Sequence, residues 1–480
     1  MRLPLIPLPR EVVVTGPKTV LDGKSPVTVT DAPKLPEEAY ELTVRNGAAV
    51  IAASSDAGVF YADQTLQQLK SVCGGRCSEM VIRDAPELPY RGFLIDSCRH
   101  FYGVEEIKRL IDAAAMFKLN RFHWHLTDDQ GWRIESKRYP LLTAVGGRRS
   151  NSLFGGVNEN REHTGFFTQE QIREIVAYCA ARCIEVVPEI EMPGHFTAAV
   201  AAYPFLGCTG EPMEPEQKEG IFPNVLCVGN DDAVAFVRNV LDEVTELFPG
   251  LYIHIGGDEA PRTRWRHCEK CAAKMKRLGL QDFDALQGSF MKEIAAYLKT
   301  KGRTAITWNE SLKGNMLSPS DAAVQRWMDR KGLCLDFAEN GGRLIESDFY
   351  HYYFDYPYGM TPLKKTFAYD PFGDCADAVT GVEGALWTEF VRTFDDQCEK
   401  LFPRLLAVAE RGWSGYPSRS YRDFTYAVHM LLPLLQAAGI PTLPPNRWDP
   451  DVRSRVREVP AFFKGSLTPD FFRQALGNIK

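Results

Sequence analysis

The spacing of apolar positions along the chain changes several times, and each change marks an element. Between residues 11 and 52 the short runs EVVV, VTVT, YELTV and AAVIAA are separated by Gly, Pro and Asp, which predicts strands. Val59, Ala62, Leu66 and Leu69 then recur at helical spacing and predict one amphipathic helix. These elements predict a small α/β unit over 1–85. The stretch RDAPELPYRG (83–92), with Pro86 and Pro89, reads as a linker.

From residue 91 the pattern becomes strand, loop, helix, repeated. Apolar runs stand at RGFLID (91–96), RFHWHL (121–126), CIEVVPEI (183–190), LYIHIG (251–256), RTAITW (303–308), AAVQRW (322–327), DFYHYYF (348–354) and GVEGALW (381–387). Val104, Ile107, Leu110, Ile111 and Ala114 mark one crossover helix. Thr168 with Gln171 forms a capping box for a second helix, and Asn230 or Asp231 opens a third. The crossovers after the fifth, sixth and seventh runs are short or poorly patterned. Eight strands with mostly helical crossovers predict an α/β fold, a (β/α)8 TIM barrel over 86–415, with a C-terminal helical extension packed on it over 416–480. A doubly wound open sheet is the alternative, and no G-x-G-x-x-G after a strand supports it.

Charge and composition remove some classes of function. Lys and Arg number 56 against 62 Asp and Glu, a net charge of −6, so neither a nucleic-acid nor a polybasic membrane partner is expected. Apolar runs stop short of the roughly 18 residues that a membrane span needs. Pro4, Pro7 and Pro9 interrupt the opening MRLPLIPLPREVVV, so no signal peptide is read. The expected location is the cytoplasm, or outside the cell if a leader has been trimmed. Twelve cysteines are scattered, and Cys98, Cys179 and Cys183 sit in apolar stretches where thiols pack as small hydrophobes. Cys268 and Cys271 form a single CxxC, half of a zinc site, so no metal is expected. A bridge between Cys208 and Cys227 is left open, the oligomeric state is not readable, and no cofactor is expected.

The chemistry concentrates after the strands, where a barrel keeps its reacting groups. In chain order the strands bring Arg91 and Asp96; Asp128 and Asp129; Glu189, Glu191 and His195; Asp258 and Glu259; Trp308 and Glu310; Trp327; Tyr353 and Asp355; Trp387 and Glu389. Carboxylates with an Arg hold vicinal hydroxyls, and indole faces stack on the C–H faces of a pyranose. No loop ends in Gly-Lys-Ser/Thr, so phosphoryl transfer is not expected. In HIGGDE (254–259) the glycines turn the chain and expose two consecutive carboxylates. Neighbouring residues are poorly placed to straddle a glycosidic bond as an ordinary carboxylate pair does. The consistent reading makes Glu259 a proton donor, with Asp258 orienting a nucleophile that belongs to the substrate. Blander readings stand beside it: Asp258 as a helix cap, Arg91 as a salt bridge at the linker, Asp96 as structural. His123 and His125 share one strand face and imitate a metal pair, but buried, hydrogen-bonded histidines are the preferred reading.

The segments RGFLIDSCRHFY, HWHLTDDQGWR, VVPEIEMPGH, IHIGGDE, TWNE and ALWTE follow in this order at barrel spacing. Together they resemble glycoside hydrolase family 20, the β-N-acetylhexosaminidases, over about 91–415, and 1–85 looks like that family's small zincin-like N-terminal domain. The resemblance implies retaining, substrate-assisted removal of terminal β-linked GlcNAc or GalNAc from a glycan, an exception to the two-carboxylate scheme. It implies Glu259 as acid/base, Asp258 and Tyr353 at the 2-acetamido group, and Trp308, Trp327 and Trp387 as its walls. Arg91, Asp355 and Glu389 match holders of the sugar hydroxyls, and Asp128 with His195 a relay beside the acid. The rivals are a lacto-N-biosidase or a relative specific for sulfated hexosamines. From other classes come a chelator-sensitive barrel metallohydrolase and a sugar-binding protein without turnover.

Overall fold

In a computed structural model of the chain, residues 3–464 are described. The N-terminal sheet contains Glu11–Val20, Val27–Asp31, Tyr40–Arg45, Ala48–Ala53 and Arg76–Asp84, in the spatial order first, fifth, third, fourth, second. The helix Asp56–Cys73 crosses one face. Ser55 caps its start by accepting from the Gly58 amide, and Gly74 ends it in the left-handed region at φ 58°. Leu42, Val44, Ile51, Met80 and Ile82 alternate inward against Tyr61, Leu66 and Leu69 of the helix. The last strand, RCSEMVIRD, is absent from the sequence reading. Its apolar positions Cys77, Met80 and Ile82 are diluted by charge, and its end was absorbed into the linker.

Eight parallel strands close a barrel: Tyr90–Asp96, Arg121–His125, Glu185–Glu189, Tyr252–His254, Thr304–Trp308, Ala322–Arg326, Leu344–Glu346 and Val379–Leu386. The last pairs with the first, Gly381 opposite Tyr90, and the first with the second, Asp96 opposite His125. Helices Val104–Met116, Gln169–Ala180, Asp231–Leu247 and Phe283–Thr300 cover the outside. The capping box at Thr168 and the Asn230 cap both form.

The seventh strand differs from expectation. Its aromatic run, residues 348–354, is not the strand; Leu344–Glu346 is, and Asp348 then caps a helical turn, Phe349–Tyr352, by accepting from the Tyr350 amide. Three β-prone aromatics are thereby carried on a turn at the mouth, with Tyr353 bridging to Ala385.

Arg91 also requires correction. It sits at the start of the first strand, five residues before Asp96 and so on the order of 16 Å from the mouth. Its buried guanidinium pairs with Glu38 at 2.9 and 3.0 Å, donates to the Leu88 and Lys118 carbonyls, and lies 4.9 Å from the Trp413 ring centre. The side chain therefore joins the small domain to the bottom of the barrel and holds no ligand at the mouth.

After the eighth strand, Arg404–Ser414 and Tyr421–Ala437 pack into the main core through Leu405, Leu406, Phe424, Val428 and Leu431. Residues 465–480 of the expected extension lie outside the described residues. No helix among the described residues is long and apolar enough to cross a membrane. All twelve thiols are free, so Cys208 and Cys227 are not bridged. The CxxC is not isolated, since Cys208 and Cys227 lie against it.

Candidate active site

The loop after the fourth strand is pressed from both sides. Gly256 and Gly257 take φ 62° and 104°. A Cβ at Gly256 would stand 1.8 Å from Glu191 Oε2, and one at Gly257 2.0 Å from Ser311 Oγ, so only glycine fits. Gly194 is also close-packed, with the Asp258 carbonyl 2.8 Å from its would-be Cβ. Two non-glycine residues here also occupy the left-handed region, Glu259 at φ 40° and His195 at φ 48°. This backbone brings His195 Nε2 to 3.6 Å from Glu259 Oε2 and 3.7 Å from Asp258 Oδ2.

On its other side, His195 Nδ1 lies 3.2 Å from both Asp128 Oδ1 and Asp129 Oδ2. Burial alone would lower the imidazole's affinity for a proton, but Asp128, Asp129 and Glu259 raise it well above the ordinary value. His195 is therefore an imidazolium under the acid pair. Asp128 is fixed in turn by Arg99 at 2.7 Å and His125 at 2.9 Å. Its burial penalty is outweighed by Arg99 and His195, which hold the carboxyl far below the usual range. His125 also bonds Glu189, which takes Trp308 Nε1 at 2.7 Å and His254 at 2.8 Å. His123 sits between Glu383 at 2.8 Å and Glu189 at 3.2 Å. Both histidines of HWH are thus engaged by carboxylates, in line with the preferred reading of that motif.

Aromatic side chains form the adjoining wall. Tyr353 stacks on Trp327 at 6.0 Å and is tilted against Trp387 at 6.1 Å, while Trp308 lies 6.1 Å from Trp387. Burial, with Asp258 facing it, keeps the Tyr353 phenol protonated and able to donate. Asp258 is driven the opposite way from an ordinary ion-paired carboxylate. Burial first, then Glu259, Glu189 and Glu310, push it up to about 7 against the pull of His195. Asp355 is likewise pushed to about 7 by burial and by Glu389. The buried polar atoms in this region without a hydrogen-bond partner in the protein include Asp258 Oδ1, Asp355 Oδ1 and Trp327 Nε1, the three that stand beside the aromatic wall. Unsatisfied buried groups are costly, and a cluster of them beside an aromatic wall marks where a polar ligand completes the set.

The structure brings Asp128, His195, Asp258, Glu259, Trp308, Trp327, Tyr353, Asp355, Trp387 and Glu389 to one end of the barrel, and leaves Arg91 at the other. Arg99 takes the place expected of Arg91. It bonds Asp96 at 3.2 Å and Asp128 at 2.7 Å, lies 3.7 Å from Glu389, and stands over the Trp387 ring at 5.3 Å. The signal was available, because Arg99 follows the strand that Arg91 begins. Glu191, to which the sequence assigns no role, has both its oxygens buried and unpartnered. Burial and the neighbouring Asp258 and Glu189 raise its pKa well above the usual range, so it is a neutral acid under the Gly256 turn. Glu310 pairs with Lys313 on a short turn.

Comparison with known proteins points to one family over most of the chain. A model described as glycosyl hydrolase family 20, catalytic domain, matches residues 88–416, and one described as domain 2 of that family matches 10–85. A protein of Porphyromonas gingivalis named β-hexosaminidase is 40% identical over 424 residues, covering 83% of this chain and 53% of its own length. One of Vibrio furnissii with the same name is 35% identical over 420 residues, covering 81% and 67%. A solved β-N-acetylhexosaminidase from Bacteroides fragilis is 32% identical, with a TM-score of 0.81 over 92% of this chain and 97% of that one. The chain spans about half the length of the Porphyromonas relative.

Proposed function

The chain belongs to glycosyl hydrolase family 20, and from that premise we propose that it is a retaining exo-β-N-acetylhexosaminidase that works through the substrate's own acetamido group. The observation that carries this reading is the set of buried, unpartnered polar atoms at Asp258, Asp355 and Trp327 beside the indole wall. A 2-acetamido sugar satisfies such a set, with its amide held by Asp258 and its ring hydroxyls by Asp355, Glu389 and Arg99.

In the first step the Glu259 carboxyl gives its proton to the leaving oxygen as the C1–O bond breaks. The acetamido carbonyl oxygen forms the new bond to C1 from the opposite face, and an oxazolinium ion results. Asp258, as carboxylate, accepts the amide N–H and offsets the positive charge that spreads over the ring. Tyr353 donates to the acetamido oxygen and aims it. In the second step water attacks C1, Glu259 takes its proton, and the ring reopens to the acetamide with the β configuration restored. The imidazolium of His195, backed by Asp128, favours the Glu259 carboxylate that the first step leaves behind.

Proton NMR of the first-formed sugar from an aryl β-GlcNAc is expected to show the β anomer, and a thiazoline mimic of the cyclised acetamide is expected to inhibit competitively. Inversion at C1, or indifference to the thiazoline, would overturn the reading.

The two arginines supply a second test. Arg99→Met is expected to lower kcat/KM by on the order of 100-fold, mainly through KM, because it removes a charged hydrogen-bond donor from the hydroxyl side of the site. Arg91→Met is expected to keep KM and to destabilise the fold by on the order of 3 kcal/mol, since it breaks a buried ion pair with Glu38. Steady-state kinetics and thermal unfolding on the two variants distinguish these roles, and an increase in KM for Arg91→Met would restore it to the site.

A further inference from the structure

Four thiols separated by up to 63 positions in the chain meet at one point. Cys208 follows the turn Pro204–Leu206, Cys227 ends the loop that begins there, and Cys268 and Cys271 stand at the start of the helix Glu269–Leu278. The sulfur–sulfur distances are 3.6 Å for Cys227–Cys268, 3.8 Å for Cys227–Cys271 and 4.0 Å for Cys208–Cys271. All four sulfurs lie within 4.8 Å of one another. Cys227, Cys268 and Cys271 are buried and Cys208 is half-buried.

These distances discriminate between the uses of a cysteine cluster. Cystine sulfurs are about 2.05 Å apart, far closer than any pair here. Zinc bonded to four thiolates at about 2.3 Å places the sulfurs at the corners of a tetrahedron with edges of about 3.8 Å. The three measured edges bracket that value. Thiols packed merely as small hydrophobes have no reason to close a four-cornered set drawn from three separate segments. We propose that Cys208, Cys227, Cys268 and Cys271 bind one structural Zn2+ ion.

The surrounding backbone suits that role. Gly229 is pressed so tightly on the CxxC that a Cβ there would stand 2.3 Å from the Cys271 nitrogen. Cys268 occupies the helix N-cap yet makes no side-chain capping bond, which leaves its sulfur for the cluster. All four corners are protein thiolates, with no open position for water or substrate, so the site is structural and not catalytic.

The ion would act on the active site through position. Leu226, beside Cys227, donates its amide to the Pro193 carbonyl two residues before His195, and accepts from Trp265 Nε1 at 2.9 Å. Trp265 lies between the acid pair and Cys268. The cluster therefore ties the His195 loop to the segment leaving Asp258 and Glu259, two loops that both carry strained backbone.

The test is elemental analysis of the full-length enzyme, purified without chelator, under reducing conditions, from cells grown with added zinc. About one zinc per chain is expected, released in proportion as a thiol-blocking mercurial titrates about four cysteines. The Cys268→Ser/Cys271→Ser double variant is expected to carry less than about a tenth of an equivalent. Metal-poor wild-type enzyme overturns the proposal, whether its thiols titrate as free or its mass shows cystines. Full zinc content in the double variant overturns it as well. If the variant does not fold, the wild-type stoichiometry and its coupling to thiol blocking still decide.

Discussion

Glu259→Gln is expected to lower kcat by on the order of 10²- to 10⁴-fold on a β-linked N-acetylhexosaminide whose leaving group needs a proton. The amide keeps the side chain's size, so the φ 40° backbone and the approach to His195 at 3.6 Å can persist. What disappears is the proton that the departing oxygen must receive. The loss should therefore shrink along a series of aryl glycosides as the leaving phenol becomes more acidic, because a good leaving group departs without help. KM should change little or fall, since the cyclised species then accumulates. The measurement is kcat and KM for wild type and variant across that series. Near-normal turnover on the poorest leaving group would remove Glu259 from the role of acid, and an equal loss across the series would confine it to the second step, which all substrates share, or to a structural part.

What could be read from the chain depended on how local the signal was. Asp258 and Glu259 were legible because their chemistry lies within six residues, and the glycines that force the turn are adjacent in sequence. The tryptophans and Asp355 are legible by their place after strands, even though the aromatic run before Tyr353 points to a strand several residues after the real one, Leu344–Glu346. That error had a physical source. The run DFYHYYF has strong β propensity, but Asp348 captures the Tyr350 amide and diverts the chain into a helical turn. Arg91 was misplaced by a different route. Both Arg91 and Arg99 belong to one motif, and only the direction of the strand separates the end that faces the small domain from the end that faces the substrate. The cysteine cluster was illegible for a third reason. CxxC shows half a site, and the other half comes from Cys208 and Cys227, brought in by a loop whose course no periodicity describes.

The interior of the barrel explains why the acid pair behaves as it does. Toward the N-terminal ends of the strands the filling is apolar, with Tyr90, Val187, Ile306, Ala323 and Ile345. Above it lies a polar layer in which Glu383, His123, Glu189, His254 and His125 lie within ion-pair distance of one another in a continuous row. Burial opposes charge on Glu189 and His125, yet the histidines pull Glu189 well below the usual carboxylate range, and Glu189 with Asp128 raises His125 to about 10. The charge on Glu189 is thus offset by the histidines around it. Two carboxyls at its upper edge are pushed the other way by burial and by neighbouring carboxylates, Glu191 and Asp258. Asp258 stands where the substrate's amide nitrogen is proposed to acquire positive charge, so the site holds in reserve a carboxyl whose charge the distant His195 offsets only in part.

Asp258→Asn should therefore impair catalysis and stabilise the fold at once. The amide cannot supply negative charge to the oxazolinium, and a loss of on the order of 10²- to 10³-fold in kcat is expected, the scale of removing one preorganised electrostatic contact. The stability effect has a definite sign with pH. A carboxyl at about 7 in the folded enzyme, against roughly 4 in the unfolded chain, means the native state holds the proton more tightly. That stabilising contribution is present below about pH 4, declines as pH rises through the window, and is gone above about 7, where a buried carboxylate faces Glu259 and Glu189. Asn carries no such charge at any pH. Thermal unfolding at pH 8 should place the Tm of Asp258→Asn above that of wild type, and the difference should close toward pH 4. In wild type the same titration should appear as an acid limb in kcat/KM near pH 7, because the carboxylate is the form that receives the amide. The thiazoline, whose ring carries the same developing charge, should bind the variant less tightly. A lower Tm at pH 8 would mean that Asp258 is held by interactions worth more than its burial costs, and unchanged kcat would mean that it does not face the reacting amide.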